Sequence, residues 1–92
     1  MNRLINVGFG NVVNSNKIIS IISPDAAPVK RMVQTAKDSG MAIDATCGRR
    51  TKAVIVTDSG HLILSSLLPD TITGRVNQFY DENQDLNSIK HA

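Results

Sequence analysis

The chain has 92 residues, a formal net charge of +2, 41% hydrophobic and 20% charged residues, which fits one small globular domain and excludes global disorder. Aromatic residues make up only 3% (Phe9, Phe79 and Tyr80), which argues against a base-stacking platform for single-stranded nucleic acid. No apolar run approaches the length of a membrane span, the N-terminus lacks a secretion-signal pattern, and the single Cys47 cannot close an intramolecular disulfide, so a cytoplasmic location away from membranes is expected.

Arg3 to Val7 reads as a short strand closed by the turn Gly8-Phe9-Gly10-Asn11. Lys17 to Ser23 reads as a second strand, because β-branched Ile18, Ile19, Ile21 and Ile22 crowd a helix and suit a pleated sheet. Ser23-Pro24-Asp25 then opens a helix with Asp25 as the expected N-cap and Pro28 in the first turn. Val29, Met32, Val33 and Ala36 form its apolar stripe, a core face, and Gly40 ends it. Met41 to Thr46 is extended, Cys47-Gly48-Arg49-Arg50 is a turn, and Lys52 to Thr57 and His61 to Ser66 are strands around the turn Asp58-Ser59-Gly60. Pro69-Asp70 starts a short helix with Ile72, Val76 and Phe79 or Tyr80 on one side, weakened at Gly74 by about 1 kcal/mol relative to Ala. Residues 81–92 read as a disordered polar tail.

These elements describe an α+β fold: a single domain over residues 1–80, with a largely antiparallel sheet, one amphipathic helix and a short C-terminal helix. The runs Ile18-Ile19, Ile21-Ile22, Val54-Ile55-Val56 and Leu62-Ile63-Leu64 are apolar at consecutive positions, and consecutive strand residues point to opposite faces. Both faces therefore need cover. Two helices are a thin supply, so a second copy of the chain is expected to provide the remainder, helped by exposed strand edges.

Charge is concentrated in the folded part. Residues 1–80 hold nine Lys/Arg against five Asp, a net +4, whereas the tail holds Lys90 against Asp81, Glu82 and Asp85. Such a core suits a polyanion. The sharpest feature is Gly48-Arg49-Arg50-Thr51-Lys52, three cations in four positions at what reads as a hairpin tip, with no acid between Asp44 and Asp58. Arginine's planar fork suits phosphate oxygens and the acceptor edge of guanine, and Lys17 would add a cation if the strands are neighbours. The same cluster also reads as a solvated turn that keeps a strand end soluble.

Catalytic and metal chemistry find no purchase. Gly8-Phe9-Gly10-Asn11 lacks the Lys and Ser/Thr of a phosphate loop, Asp58 with His61 falls short of a metal site, and Cys47 has no evident histidine partner. The expectation is no enzyme, no catalytic residue, no metal, no cofactor and no small-molecule substrate.

Several blocks taken together resemble the RemA family of bacterial extracellular matrix regulatory proteins. They are Leu4-Ile5-Asn6-Val7-Gly8-Phe9-Gly10-Asn11, Ile19-Ser20-Ile21-Ile22-Ser23-Pro24, Ala27-Pro28-Val29-Lys30-Arg31-Met32, and Ile43-Asp44-Ala45-Thr46 through Gly48-Arg49-Arg50-Thr51. The resemblance covers about Leu4 to Arg75. It implies a transcriptional activator of biofilm-matrix and osmoprotection genes, LytTR-like in fold, that assembles into an octameric ring and wraps double-stranded DNA. The family's functional arginines correspond to Arg49 and Arg50, and a further basic position to Lys17, which keeps the charge but loses the fork. Cys47 stands where a relative has Tyr, which removes one contact. The DNA-binding set expected is thus Arg49, Arg50, Lys17 and Lys52. An RNA-binding module, or a structural ring whose arginines form inter-subunit salt bridges, are the competing readings.

Overall fold

Val54-Ile55-Val56 and Leu62-Ile63-Leu64 form the two central strands of a four-stranded sheet, in a computed structural model that describes residues 3–78. In chain order the elements are β1 (Leu4–Gly8), β2 (Asn11–Asn14), a 3-10 turn (Ser15–Lys17), β3 (Ile18–Ile22), α1 (Ala27–Asp38), β4 (Ala42–Asp44), β5 (Ala53–Thr57), β6 (Leu62–Ser65) and a helix, α2, over residues 69–78. Strands β1 and β2 pair as a separate hairpin, and the larger sheet has the order β3-β5-β6-β4. Its pairings are antiparallel except β4 with β6, which is parallel. The fold is α+β, with two helices and two sheets of mostly antiparallel strands.

Both faces of the larger sheet are covered from within the chain. Ile55, Ile63 and Ala53 face Ile5 and Val7 of β1 and Ile72 of α2, with Ile21, Val13 and Val76 completing the cluster. Val54, Leu62 and Leu64 face Ala36, Val29 and Val33 of α1. The thin supply of cover expected from the sequence is therefore corrected, because the hairpin takes one face jointly with α2. Strand β2, Asn-Val-Val-Asn, is too short and asparagine-rich to stand out as a strand, and this hides the hairpin in the sequence. What stays uncovered lies at the margins: Ile19 on β3 is 66% exposed and Ile43 on β4 is 49% exposed, at opposite edges of the sheet. Ile19 is also the extra residue of a bulge, since Ile18 pairs with Thr57 and Ser20 with Val56.

Helix α1 begins one residue later than a cap at Asp25 requires. Ala26 is the N-cap, and its carbonyl accepts from the Val29 and Lys30 N–H groups at 3.0 and 3.1 Å. An N-cap at Asp25 would have Pro28, which carries no N–H, as its third helical partner. Asp25 instead accepts from Ser23 Oγ at 3.1 Å. Met32, a core residue by its spacing, is 38% exposed, whereas Ala36 is buried. In α2, Ile72 is fully buried as expected; Phe79, Tyr80 and the tail lie outside the described residues. Gly74 has open space within 4 Å of where a Cβ would stand and has no positive φ, so Gly74→Ala is expected to stabilise the fold by up to about 1 kcal/mol in thermal unfolding.

Beside the packing of Ile5 and Val7, one buried hydroxyl ties the hairpin to the sheet. Ser65 Oγ donates to the Val7 carbonyl at 2.6 Å and accepts from Leu67 N–H at 3.1 Å. This bond brings the β1–β2 turn beside the C-terminal end of β6. In that two-residue turn Phe9 has φ 53° and Gly10 φ 77°, the double positive φ of a type I′ hairpin turn. A phenylalanine in the left-handed region is uncommon, and it stands 52% exposed.

Candidate functional site

The basic segment is a crossover rather than a hairpin tip. Strands β4 and β5 flank β6 on opposite sides, so residues 45–52 must arch over the C-terminal end of β6 to join them. The arch is pinned on each side of that strand: Ala45 N–H donates to Leu64 O at 2.9 Å, and Lys52 N–H to Ser65 O at 2.8 Å. At its start, Asp44 Oδ1 accepts from Thr46 Oγ1 at 2.6 Å and Thr46 N–H at 2.9 Å. Cys47 and Gly48 then take φ 53° and 79°, and Arg49 N–H closes the turn on Thr46 O at 3.0 Å. A glycine at position 48 makes the second left-handed residue inexpensive. The loop is ordered by its own backbone before any partner arrives.

Arg49, Arg50 and Lys52 leave this arch at one end of the sheet, and together with Ser66 they line a concavity of ≈ 510 Å³. The Arg49 guanidinium lies over the Phe9 ring, 5.6 Å from its centroid, within the range of a cation–π contact. Phe9 thus supports Arg49 from below, a role that sequence spacing does not reveal because 40 positions separate the two in the chain. The one sequence signal for it is an aromatic residue between two glycines at a turn. Arg50 Nη2 lies 4.0 Å from Asp25 Oδ1, with both side chains largely exposed. Such a pair contributes at most about 1 kcal/mol.

Lys17 does not join them. Strand β3 does neighbour β5, but it runs antiparallel, pairing Ile18 with Thr57 and Ile22 with Val54. Lys17 therefore sits at the opposite end of the sheet, about 17 Å away along β5 at roughly 3.4 Å per residue. There Lys17 Nζ lies 3.6 Å from Asp58 Oδ2. His61 Nδ1 is 2.7 Å from Ser59 Oγ, so Asp58 and His61, too few for a metal site in the sequence, engage other groups in the fold. Among the described residues no three His, Cys, Asp or Glu side chains converge.

The pattern that defines the RemA-like family, described as Extracellular matrix regulatory protein A-like, matches residues 4–76. The chain belongs to this family. It is 54% identical over 85 residues to the Extracellular matrix regulatory protein A of Bacillus subtilis, covering 89% of this chain and 96% of that protein. It is 69% identical over 78 residues to a protein of Lachnoclostridium phytofermentans named "Putative regulatory protein", covering 85% and 86% of the two chains. A Brevibacillus brevis protein named in the same way is 55% identical over 83 residues, covering 90% and 96%. All three carry regulatory names. The basic arch of this RemA-like chain falls inside the matched region, as do Phe9 and Asp25.

One acid in the RemA-like arch is tuned. The bond from the Thr46 hydroxyl, then that from the Thr46 N–H, then the charge of Lys37 hold the Asp44 carboxyl below its ordinary value of 3.8, against an opposing effect of burial. A depressed folded-state pKa contributes stability that is present above the unfolded value and lost as pH falls through the folded one. Asp44→Asn keeps an acceptor for Thr46 but not the charge. It is expected to flatten the acid limb of thermal stability against pH, by less than about 1 kcal/mol because solvent screens the group.

Proposed function

We propose that this protein is a non-enzymatic transcriptional regulator of the matrix-gene type that binds double-stranded DNA as a homo-oligomeric ring in the cytoplasm. The observation that carries this reading is the basic arch: Arg49, Arg50 and Lys52 stand exposed on a loop fixed on both sides of a central strand. Arginine forks presented in this way suit phosphate oxygens. Few exposed rings accompany them, which favours a duplex over a stacked single strand. The regulatory names of the relatives agree with a binding rather than a chemical role.

Self-association has its own physical support in the two open sheet edges. Ile19 and Ile43 are large, apolar and exposed on β3 and β4, which are opposite edges. Unlike patches on opposite sides of a subunit suit head-to-tail contact, which generates a ring when the rotation closes. A ring repeats the arch, so each subunit needs only weak contacts, since linked sites gain through effective concentration. Ile19→Lys is expected to keep the folded subunit and lower its apparent mass in light scattering; an unchanged oligomer would remove β3 from the interface.

The deciding experiment is fluorescence anisotropy of the wild type on long and short duplex DNA and on duplex RNA of matched length, over a salt series. Tighter binding to long DNA with a steep negative slope supports the reading. Preference for RNA would transfer the arch to the competing RNA module. In a third reading the arginines serve contacts between subunits, and Arg50 would exchange its exposed Asp25 partner within the chain for an acid of a neighbour. Replacing Arg49 and Arg50 together by Ala separates that reading from DNA binding, because only a protein-contact role makes the oligomer depend on them.

A further inference from the structure

A second basic concavity adjoins the arch. The groove between hairpin β1–β2 and α2 measures ≈ 540 Å³, and the described residues that wall it, Arg3, Asn6, Phe9, Leu67, Arg75 and Gln78 among them, include no acid. Arg3 and Arg75 are brought together here by topology alone, from the start of β1 and from α2. Arg75 Nη1 donates to the Asn6 carbonyl at 2.6 Å. That bond uses one of the five donors of a guanidinium and fixes the plane of the rest. The Asn6 side-chain oxygen accepts from Gly8 N–H at 2.7 Å, which leaves its amide NH₂ as a donor to the groove. Donors and positive charge therefore predominate along the walls.

Phe9 links the two concavities. Phe9 lines this groove while its ring carries the Arg49 guanidinium 5.6 Å from its centroid. A polyanion seated on Arg49 has the groove beside it, across one phenyl ring, and among the described residues meets no acidic side chain in the groove lining. We infer that the groove of Arg3 and Arg75 is a second phosphate-binding site, contiguous with the arch, which extends the footprint of a bound duplex across Phe9. The inference rests on the DNA reading for the source of the phosphate. The chemistry of the site, two guanidiniums and an amide around one oxyanion, serves a free phosphate equally.

The experiment follows the arginine Nε–H resonances of the full chain during titration with a short DNA duplex and, separately, with inorganic pyrophosphate. It is joined to duplex salt series for Arg75→Gln and Arg75→Lys. The expected result is that Arg3 and Arg75 shift with the duplex together with Arg49 and Arg50. Arg75→Gln then flattens the log–log salt slope by about 0.9 for each phosphate neutralised by the wild-type side chain, and Arg75→Lys restores most of it. A purely structural Arg75, tying α2 to β1, would lower the melting temperature of Arg75→Gln and leave the slope of the folded fraction unchanged.

If Arg49 and Arg50 respond to the duplex while Arg3 and Arg75 do not, the groove is overturned and the DNA reading stands. If the wild type ignores the duplex, the DNA reading falls and pyrophosphate alone decides: shifts at Arg3 and Arg75 keep a free-phosphate site, and silence removes it. Should Arg75→Gln fail to fold, the wild-type resonances and the lysine variant still decide between these outcomes.

Discussion

Arg49→Ala combined with Arg50→Ala is expected to reduce duplex binding to background at moderate salt while leaving the fold and the oligomer intact. Each phosphate that is no longer neutralised flattens the log–log salt slope by about 0.9, so the pair removes about 1.8 per subunit on the DNA. The fold should tolerate the change because the Arg50 side chain is 82% exposed and its partner Asp25 78% exposed, at 4.0 Å. Loss of this exposed pair, and of the Arg49 contact with Phe9, should cost no more than about 1 kcal/mol each. The arch keeps its shape through Ala45, Lys52, Thr46 and Asp44, none of which is altered. Anisotropy and light scattering on the same sample separate the outcomes. Abolished binding with an intact oligomer supports a DNA surface, whereas dissociation would make the arginines interface residues and favour the scaffold.

The second large effect concerns the core. Ile55 is fully buried in the middle of β5, facing β1 and α2, while its neighbour Val54, also fully buried, faces α1. Ile55→Ala is expected to cost about 2–5 kcal/mol, through forfeited transfer energy and the cavity left between sheet and hairpin. At about 4–8 °C per kcal/mol for a domain of this size, the melting temperature falls by roughly 10 °C or more. Denaturant unfolding should show a lower midpoint with an unchanged slope. A cost below about 1 kcal/mol would mean that the hairpin collapses onto the gap and is not rigidly mounted.

Local patterns foretell the pieces better than their arrangement. The consecutive apolar residues of β5 and β6 announce strands covered on both faces, and these are the central pair. The stripe ending before Gly40 announces α1, and Pro69 announces α2. Strand order is not accessible in this way, because it depends on long-range pairing: a loop between two strands reads as a hairpin unless a third strand is known to lie between them. For that reason the arch reads as a hairpin tip in the sequence, and Lys17 groups there with cations that lie at the far end of the sheet. The cluster Arg49-Arg50-Thr51-Lys52 is visible as local composition. Its support by Phe9 and its neighbour Arg75 are not, because both arrive from elements remote in sequence.

The crossover has a mechanical consequence. A hairpin tip loaded by a bent, springy ligand hinges about the two strands that carry it, and each strand feels the full lever arm. The arch here stands over β6 like a bridge with one footing on either bank, at Ala45 and at Lys52. A recoil pull on Arg49 or Arg50 is divided between two hydrogen bonds at successive residues of one interior strand, Leu64 and Ser65. Both of those residues are buried, so the footings do not slide without opening the core. Stiff DNA that is curved stores elastic energy of the order of several kcal/mol and returns it as force on whatever holds it. If the proposed duplex is what the arch holds, a handle braced in this way transmits that force to the whole subunit instead of yielding locally.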